Sequence, residues 1–120
     1  MPRDYRLYLD DILDAVQQIR IYVEGYDGEA FAADRKTQDA VIKNLEVIGE
    51  AARNLPEDIG AAAPEIDWRK ITGLRNILIH EYFGISIPII WDIIQNKLDP
   101  LEQVSRKILG KMNGSSDDAQ

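Results

Sequence analysis

The sequence predicts an all-α protein, an antiparallel bundle of four main helices plus a short fifth. Three observations predict it. Apolar residues recur at steps of three and four along most of the chain. No strand-like alternation of useful length interrupts them. The breaks between the periodic stretches carry residues that cap or stop helices. A single helical domain over 1–110 is expected, followed by a polar, disordered tail over 111–120.

The first helix is expected over residues 4–24. Tyr5, Leu9, Ile12, Val16, Ile19 and Val23 form its seam, and Gly25 closes it. Asp10, Asp11 and Asp14 lie off that seam, where a solvated acidic face is the plain reading. Tyr26 to Ala33 reads as a connection. Asp34 is a fitting N-cap for a second helix over about 35–55, with Val41, Leu45, Ile48, Ala52 and Leu55 on its apolar side. Asn44, Glu46 and the run Gly49-Glu50-Ala51-Ala52 stand out there, and Gly49 and Ala51 would let another helix approach closely. Pro56 ends the helix, and 56–66 reads as a loop with at most one short turn.

Asp67 can cap a third helix running from Trp68 towards His80. Ser86 can cap a fourth, with Pro88 in its first turn and Ile87, Ile90, Trp91 and Ile94 on its apolar side. Ile89 and Ile93 broaden that side, as in a helix that is deeply buried or partly an oligomer interface. Asp99-Pro100-Leu101-Glu102 has the form of a capping box with proline at its first helical position. It starts the last predicted helix, through about Leu109.

Composition bounds the chemistry. The chain has 120 residues, enough for one core without staples. It has no cysteine, which excludes disulfides, thiol catalysis and thiolate metal sites. A single histidine excludes a multi-histidine metal cluster within one chain, and neither a metal nor a cofactor is expected. The N-terminus lacks the apolar region of a secretory signal, and the most apolar run, Phe83 to Trp91, is too short to span a bilayer. A cytoplasmic protein is expected. A net charge of −7 argues against a general nucleic-acid coat but leaves room for a small basic site. Arg69, Lys70 and Arg75 supply local positive charge.

The chemically richest stretch is Gly73 to Gly84. It holds the only histidine, His80, with Arg75 five residues before it, Tyr82 two after, and the apolar run Ile77-Leu78-Ile79 between. On a straight helix, five residues turn the chain by about 500°, so Arg75 and His80 point roughly 140° apart. Asn76 and His80, at i and i+4, share a face. Convergence of Arg75 and His80 therefore requires the helix to end or distort near His80, or a second subunit to complete the pair. The residues alone leave plainer roles open: a helix-end histidine against the core, an arginine in a salt bridge, a tyrosine in the bundle. Spacing alone therefore leaves the function open.

Arg75-Asn76, three residues, then His80-Glu81-Tyr82 matches the Arg-x4-His-x-Tyr signature of HepT-like toxins of the HEPN superfamily. Gly49-Glu50-Ala51-Ala52, Trp68, Tyr82-Phe83-Gly84, Ile90-Trp91 and Asp99-Pro100-Leu101 resemble the same family in the same order, so the likeness covers nearly everything from Tyr5 to Leu109. The resemblance implies a HEPN-like helical fold and a small, usually homodimeric endoribonuclease, the toxin of a type VII-like toxin-antitoxin pair. It implies a neighbouring antitoxin, an MntA-type nucleotidyltransferase, that silences the toxin by adding AMP to the motif tyrosine, here Tyr82. The family's RNA-cleaving pair corresponds to Arg75 and His80. That pair suits RNA cleavage without a metal: His80 exchanges protons near neutral pH, Arg75 can stabilise charge on phosphate oxygens, and Asn76 can orient the imidazole or hold an oxygen. The rival expectation is a non-catalytic helical module that only binds a nucleotidyltransferase.

Overall fold

The structure is a computed structural model that describes residues 4–80 and 87–113, with residues 75–80 and 111–113 as backbone alone. Everything regular in it is helical. The elements in order are α1 (Tyr5–Tyr22), α2 (Gly28–Ala32), α3 (Arg35–Arg53), α4 (Glu57–Ala61), α5 (Trp68–His80), α6 (Ile87–Asn96) and α7 (Leu98–Asn113).

α1 begins where the Asp4 carboxylate accepts from the Arg6 backbone N–H. Its expected seam is the buried one: Leu9, Ile12, Val16 and Ile19 lose all exposure, and Ala15 joins them. Gly25 ends this region with a φ of 79°, a left-handed conformation that glycine reaches without the Cβ clash. α3 is the platform of the molecule, packing on α1 along one side and on α5 along the other. That double duty explains its wide buried stripe, which runs through Gln38, Val41, Ile42, Leu45, Ile48, Gly49, Ala51 and Ala52. Gly49 and Ala51 lie within the packed stripe, as their size suggests.

The start of α3 is fastened twice. Asp34 Oδ1 accepts from the Thr37 backbone N–H at 3.0 Å, the expected cap. Its other oxygen accepts from the Tyr26 hydroxyl at 2.5 Å and the Thr37 hydroxyl at 2.7 Å. These hydrogen bonds, Tyr26 first and Thr37 next, hold the carboxyl at about 2.

The five predicted helices all occur, and two short ones add to them. The 56–66 loop contains α4. The Tyr26 to Ala33 connection contains α2, capped by Asp27 Oδ1 accepting from the Ala30 N–H at 2.8 Å. Phe31 of α2 is fully buried. Gln38 of α3, a buried amide, donates to the Phe31 and Ala32 carbonyls at 2.8 and 3.0 Å, so α2 is bolted to α3.

α7 differs from expectation at both ends. It begins at Leu98, so Asp99 lies inside the first turn rather than capping it. The capping box is displaced by Arg20 of α1, whose Nη2 donates to the Asp99 carboxylate and whose Nη1 donates to Glu102 Oε1 at 2.6 Å. A half-buried guanidinium is a stronger attractor for these carboxylates than a helix-end amide. Arg106 adds a second contact to Glu102 at 3.0 Å. The Arg20 contacts, reinforced by Arg106, hold the Glu102 carboxyl below its ordinary value. At its far end α7 runs to Asn113, past the expected end near Leu109, and residues 114–120 lie outside the described residues. Leu98, Leu101, Val104 and Ile108 pack into the core, while the fully buried Ser105 hydroxyl has no partner among the described residues.

Candidate active site

The predicted site depends on α5, and α5 is well founded at its start. Asp67 Oδ1 accepts from the Lys70 N–H at 3.2 Å, the expected cap. The Trp68 indole donates to the Ala63 carbonyl at 3.1 Å. The ring lies beside Gly60, where a Cβ would make ordinary van der Waals contact at 3.4 Å from Trp68 Cδ1. Ile71 and Leu74 then pack against the core, which fixes the helix on α3.

From Leu74 the helix continues through positions 75 and 76 to His80. One helix therefore carries the three predicted site residues nearest in sequence. Its unbroken course puts positions 76 and 80 on one face and positions 75 and 80 roughly 140° apart by ideal helical register. The helical assignment runs without interruption to His80 and ends there, at the place where the expectation allowed the helix to end. The side chains of Arg75, Asn76 and His80 lie outside the described residues, as does all of Tyr82, and so does the Ser86 cap expected for the next helix. Arg69 and Lys70 are exposed at the start of α5.

Six residues separate His80 from Ile87, where α6 begins. Ile90 and Ile94 of α6 are buried, and Ile87, Trp91 and Ile93 pack against the core. Ile89 faces out, 63% exposed. α6 rests on α2 and α7. Its Trp91 ring meets Phe31 with centroids 5.3 Å apart and planes tilted by 31°. Sequence reading missed this contribution of Gly28, Phe31 and Gln38. The one signal available was an amide at position 38, three residues before Val41 on an otherwise apolar stripe.

Asp10 and Asp14 are exposed on α1. Among the described residues, no three His, Cys, Asp or Glu side chains are grouped to hold a metal ion. No helix among them is long and apolar enough to cross a membrane.

Comparison with known proteins gives a consistent result. The sequence model of the ribonuclease HepT-like family matches residues 12–108. A protein of Methanocaldococcus jannaschii named as a candidate RNase is 42% identical over 120 residues, covering 96% of this chain and 99% of its own. A protein of Thermococcus cleftensis named as a probable ribonuclease HepT is 38% identical over 108 residues, covering 90% of this chain and 98% of its own. A candidate RNase of Caldanaerobacter subterraneus is 38% identical over 106 residues, covering 88% and 95%. No solved structure matches the chain significantly.

Proposed function

The chain belongs to the ribonuclease HepT-like family of endoribonucleases, and on that premise we propose that Arg75 and His80 carry its RNA cleavage. The observation that carries the reading is the intact Arg-x4-His-x-Tyr set within the span that matches the family, with positions 75 and 80 on α5. In the proposed reaction the RNA 2′-hydroxyl attacks the adjacent phosphorus as an imidazole nitrogen takes its proton. The P–O5′ bond breaks, the leaving oxygen takes a proton from an imidazolium, and a 2′,3′-cyclic phosphate remains. Arg75 stabilises the charge that grows on the phosphorus-bound oxygens, and Asn76 orients the imidazole or holds one of them. Protons and charge are balanced by these groups without a metal.

A homodimer is part of the proposal. One histidine per chain has to serve as base and acid, and two chains bring two imidazoles to one cleft. The helical register of α5 supports it, because ideal helix geometry turns positions 75 and 80 away from each other. The outward Ile89 supports a second copy on that side of α6. The four long helices are proposed to form the antiparallel bundle of the HEPN fold. The protein is further proposed to act as a cytoplasmic toxin of a type VII-like pair. A cognate MntA-type nucleotidyltransferase silences it by adding AMP to Tyr82, which places a negative phosphate two residues from His80.

Incubation of the purified protein with cellular RNA, with and without EDTA, tests the reading. New ends carrying 2′,3′-cyclic phosphate are expected in both conditions. His80→Ala and Arg75→Ala should each lower the rate by about 10²-fold or more. Unchanged cleavage by His80→Ala would overturn the catalytic assignment. An inert wild type that still binds a nucleotidyltransferase would establish the rival reading of a binding module.

A further inference from the structure

One side of α5 is taken up by packing, and the opposite side is left with a cation and a bare stretch of helix. Ile71 and Leu74 pack against the core, and α3 is the helix on which α5 rests. By ideal helical register these two positions stand about 140–160° from position 69. Positions 73, 76 and 80 stand within about 40° of position 69. Arg69 and Gly73 therefore share a row with the positions of Asn76 and His80. The row is about 16 Å long, the rise of eleven residues at about 1.5 Å each.

The fold accounts for neither Arg69 nor Gly73. Arg6, Arg20, Arg35 and Arg106 each hold a carboxylate. Arg69 is exposed, and among the described residues no ion pair engages it, in a chain with 21 acidic side chains against 14 basic ones. Lys70, also exposed, flanks it. Gly73 lies within a 13-residue helix, where glycine is less stable than alanine. A Cβ built on it meets nothing within 4 Å, so packing does not demand glycine there. Gly25 is the only glycine with positive φ among the described residues, so backbone conformation does not demand it either. What glycine does provide is close approach of another molecule to the helix backbone. A guanidinium beside that opening is matched to a phosphate, which it holds through two N–H donors.

We propose that this row seats the RNA strand, with Arg69 binding a phosphate remote from the bond that is cut and Gly73 keeping the helix bare where the strand passes. The proposal rests on the ribonuclease reading for the nature of the strand, and on exposure, charge and open space for Arg69 and Gly73. It also reconciles RNA binding with a net charge of −7, because a single strand needs a narrow basic track rather than a basic surface.

The experiment measures affinity for a single-stranded RNA of about 12 nucleotides over a range of salt concentrations. The RNA is methylated on every 2′ oxygen, which removes the attacking hydroxyl, so binding is read without cleavage. Arg69→Ala should weaken binding by about 10-fold and lower the slope of log affinity against log salt by about 1. Arg69→Lys should keep most of both, since either cation neutralises a phosphate. Gly73→Leu should weaken binding by about 10-fold yet raise the melting temperature, because its Cβ meets no part of the described fold. Gly73→Ala should do the same to a smaller degree. Arg6→Ala removes an equal charge from α1 and should leave affinity within about twofold. Wild-type affinity in both Arg69→Ala and Gly73→Leu would overturn the proposal. So would a loss in Arg6→Ala as large as that in Arg69→Ala, which marks general charge attraction. A light-scattering mass that falls in Gly73→Leu would assign the row to a second copy of the chain and overturn it as well. Wild type that binds the RNA but cuts no unmethylated RNA removes the catalytic reading of Arg75 and His80 alone, and the affinities still decide this one.

Discussion

Asp34 shows how much one side chain can organise. Its two oxygens receive the Thr37 N–H, the Thr37 hydroxyl and the Tyr26 hydroxyl, so it caps α3 and pins the preceding connection. Its carboxyl is held at about 2, against an ordinary value of 3.8. Because the folded value is the lower one, the unfolded chain binds the proton more readily, and the stabilisation is complete above the ordinary value. It is lost as pH falls from 3.8 through about 2. Urea unfolding midpoints should therefore drop across that window, and Asp34→Asn should drop less steeply there. A second residue-scale expectation follows from the proposed switch. Tyr82→Phe keeps the ring and removes the acceptor oxygen, so it should retain cleavage and escape silencing by the nucleotidyltransferase with ATP. Mass spectrometry of the coexpressed pair should find AMP on wild type and none on Tyr82→Phe; AMP persisting on another residue would discard Tyr82 as the switch.

Among the elements, α7 teaches most about what a sequence discloses. Asp99 and Glu102 have the spacing of a capping box, yet both carboxylates turn to Arg20, 79 and 82 residues away in sequence. Local spacing is blind to a competitor that only folding delivers. α2 escaped reading for another reason, since its five residues are too few to show a helical period. By contrast α1 was legible from its long apolar seam and closing glycine, and α3 and the start of α5 from apolar spacing with an aspartate at the head. The candidate residues Arg75, Asn76 and His80 were legible as chemical types on a helix. Their mutual arrangement was not, because helical register alone turns positions 75 and 80 apart. Arg20→Ala should cost about 1–2 kcal/mol, more than an exposed ion pair, because the guanidinium holds two carboxylates and is partly shielded. Chemical denaturation checks the value; a loss below about 0.5 kcal/mol would mean that α1 and α7 are joined by apolar packing alone.

At the scale of the whole molecule, the proposed active unit is two chains. Light scattering at micromolar concentration should give a mass near twice 13.6 kDa. Ile89→Lys, a charge placed on the exposed α6 position, should shift that mass toward one chain and reduce cleavage together with it. A monomer with full activity would refute the paired site. One further consequence comes from how the core is closed. α1 is covered by α3 on one side and by α7 on another, with Arg20 clasping Asp99 and Glu102. During translation α1 therefore waits with one apolar flank uncovered until Leu98, Leu101, Val104 and Ile108 have also emerged. Its growing chain has no closed core, and so no settled platform under α5, for most of its synthesis. Closure of the core and the settling of the platform under α5 are thus one event, tied to the arrival of α7.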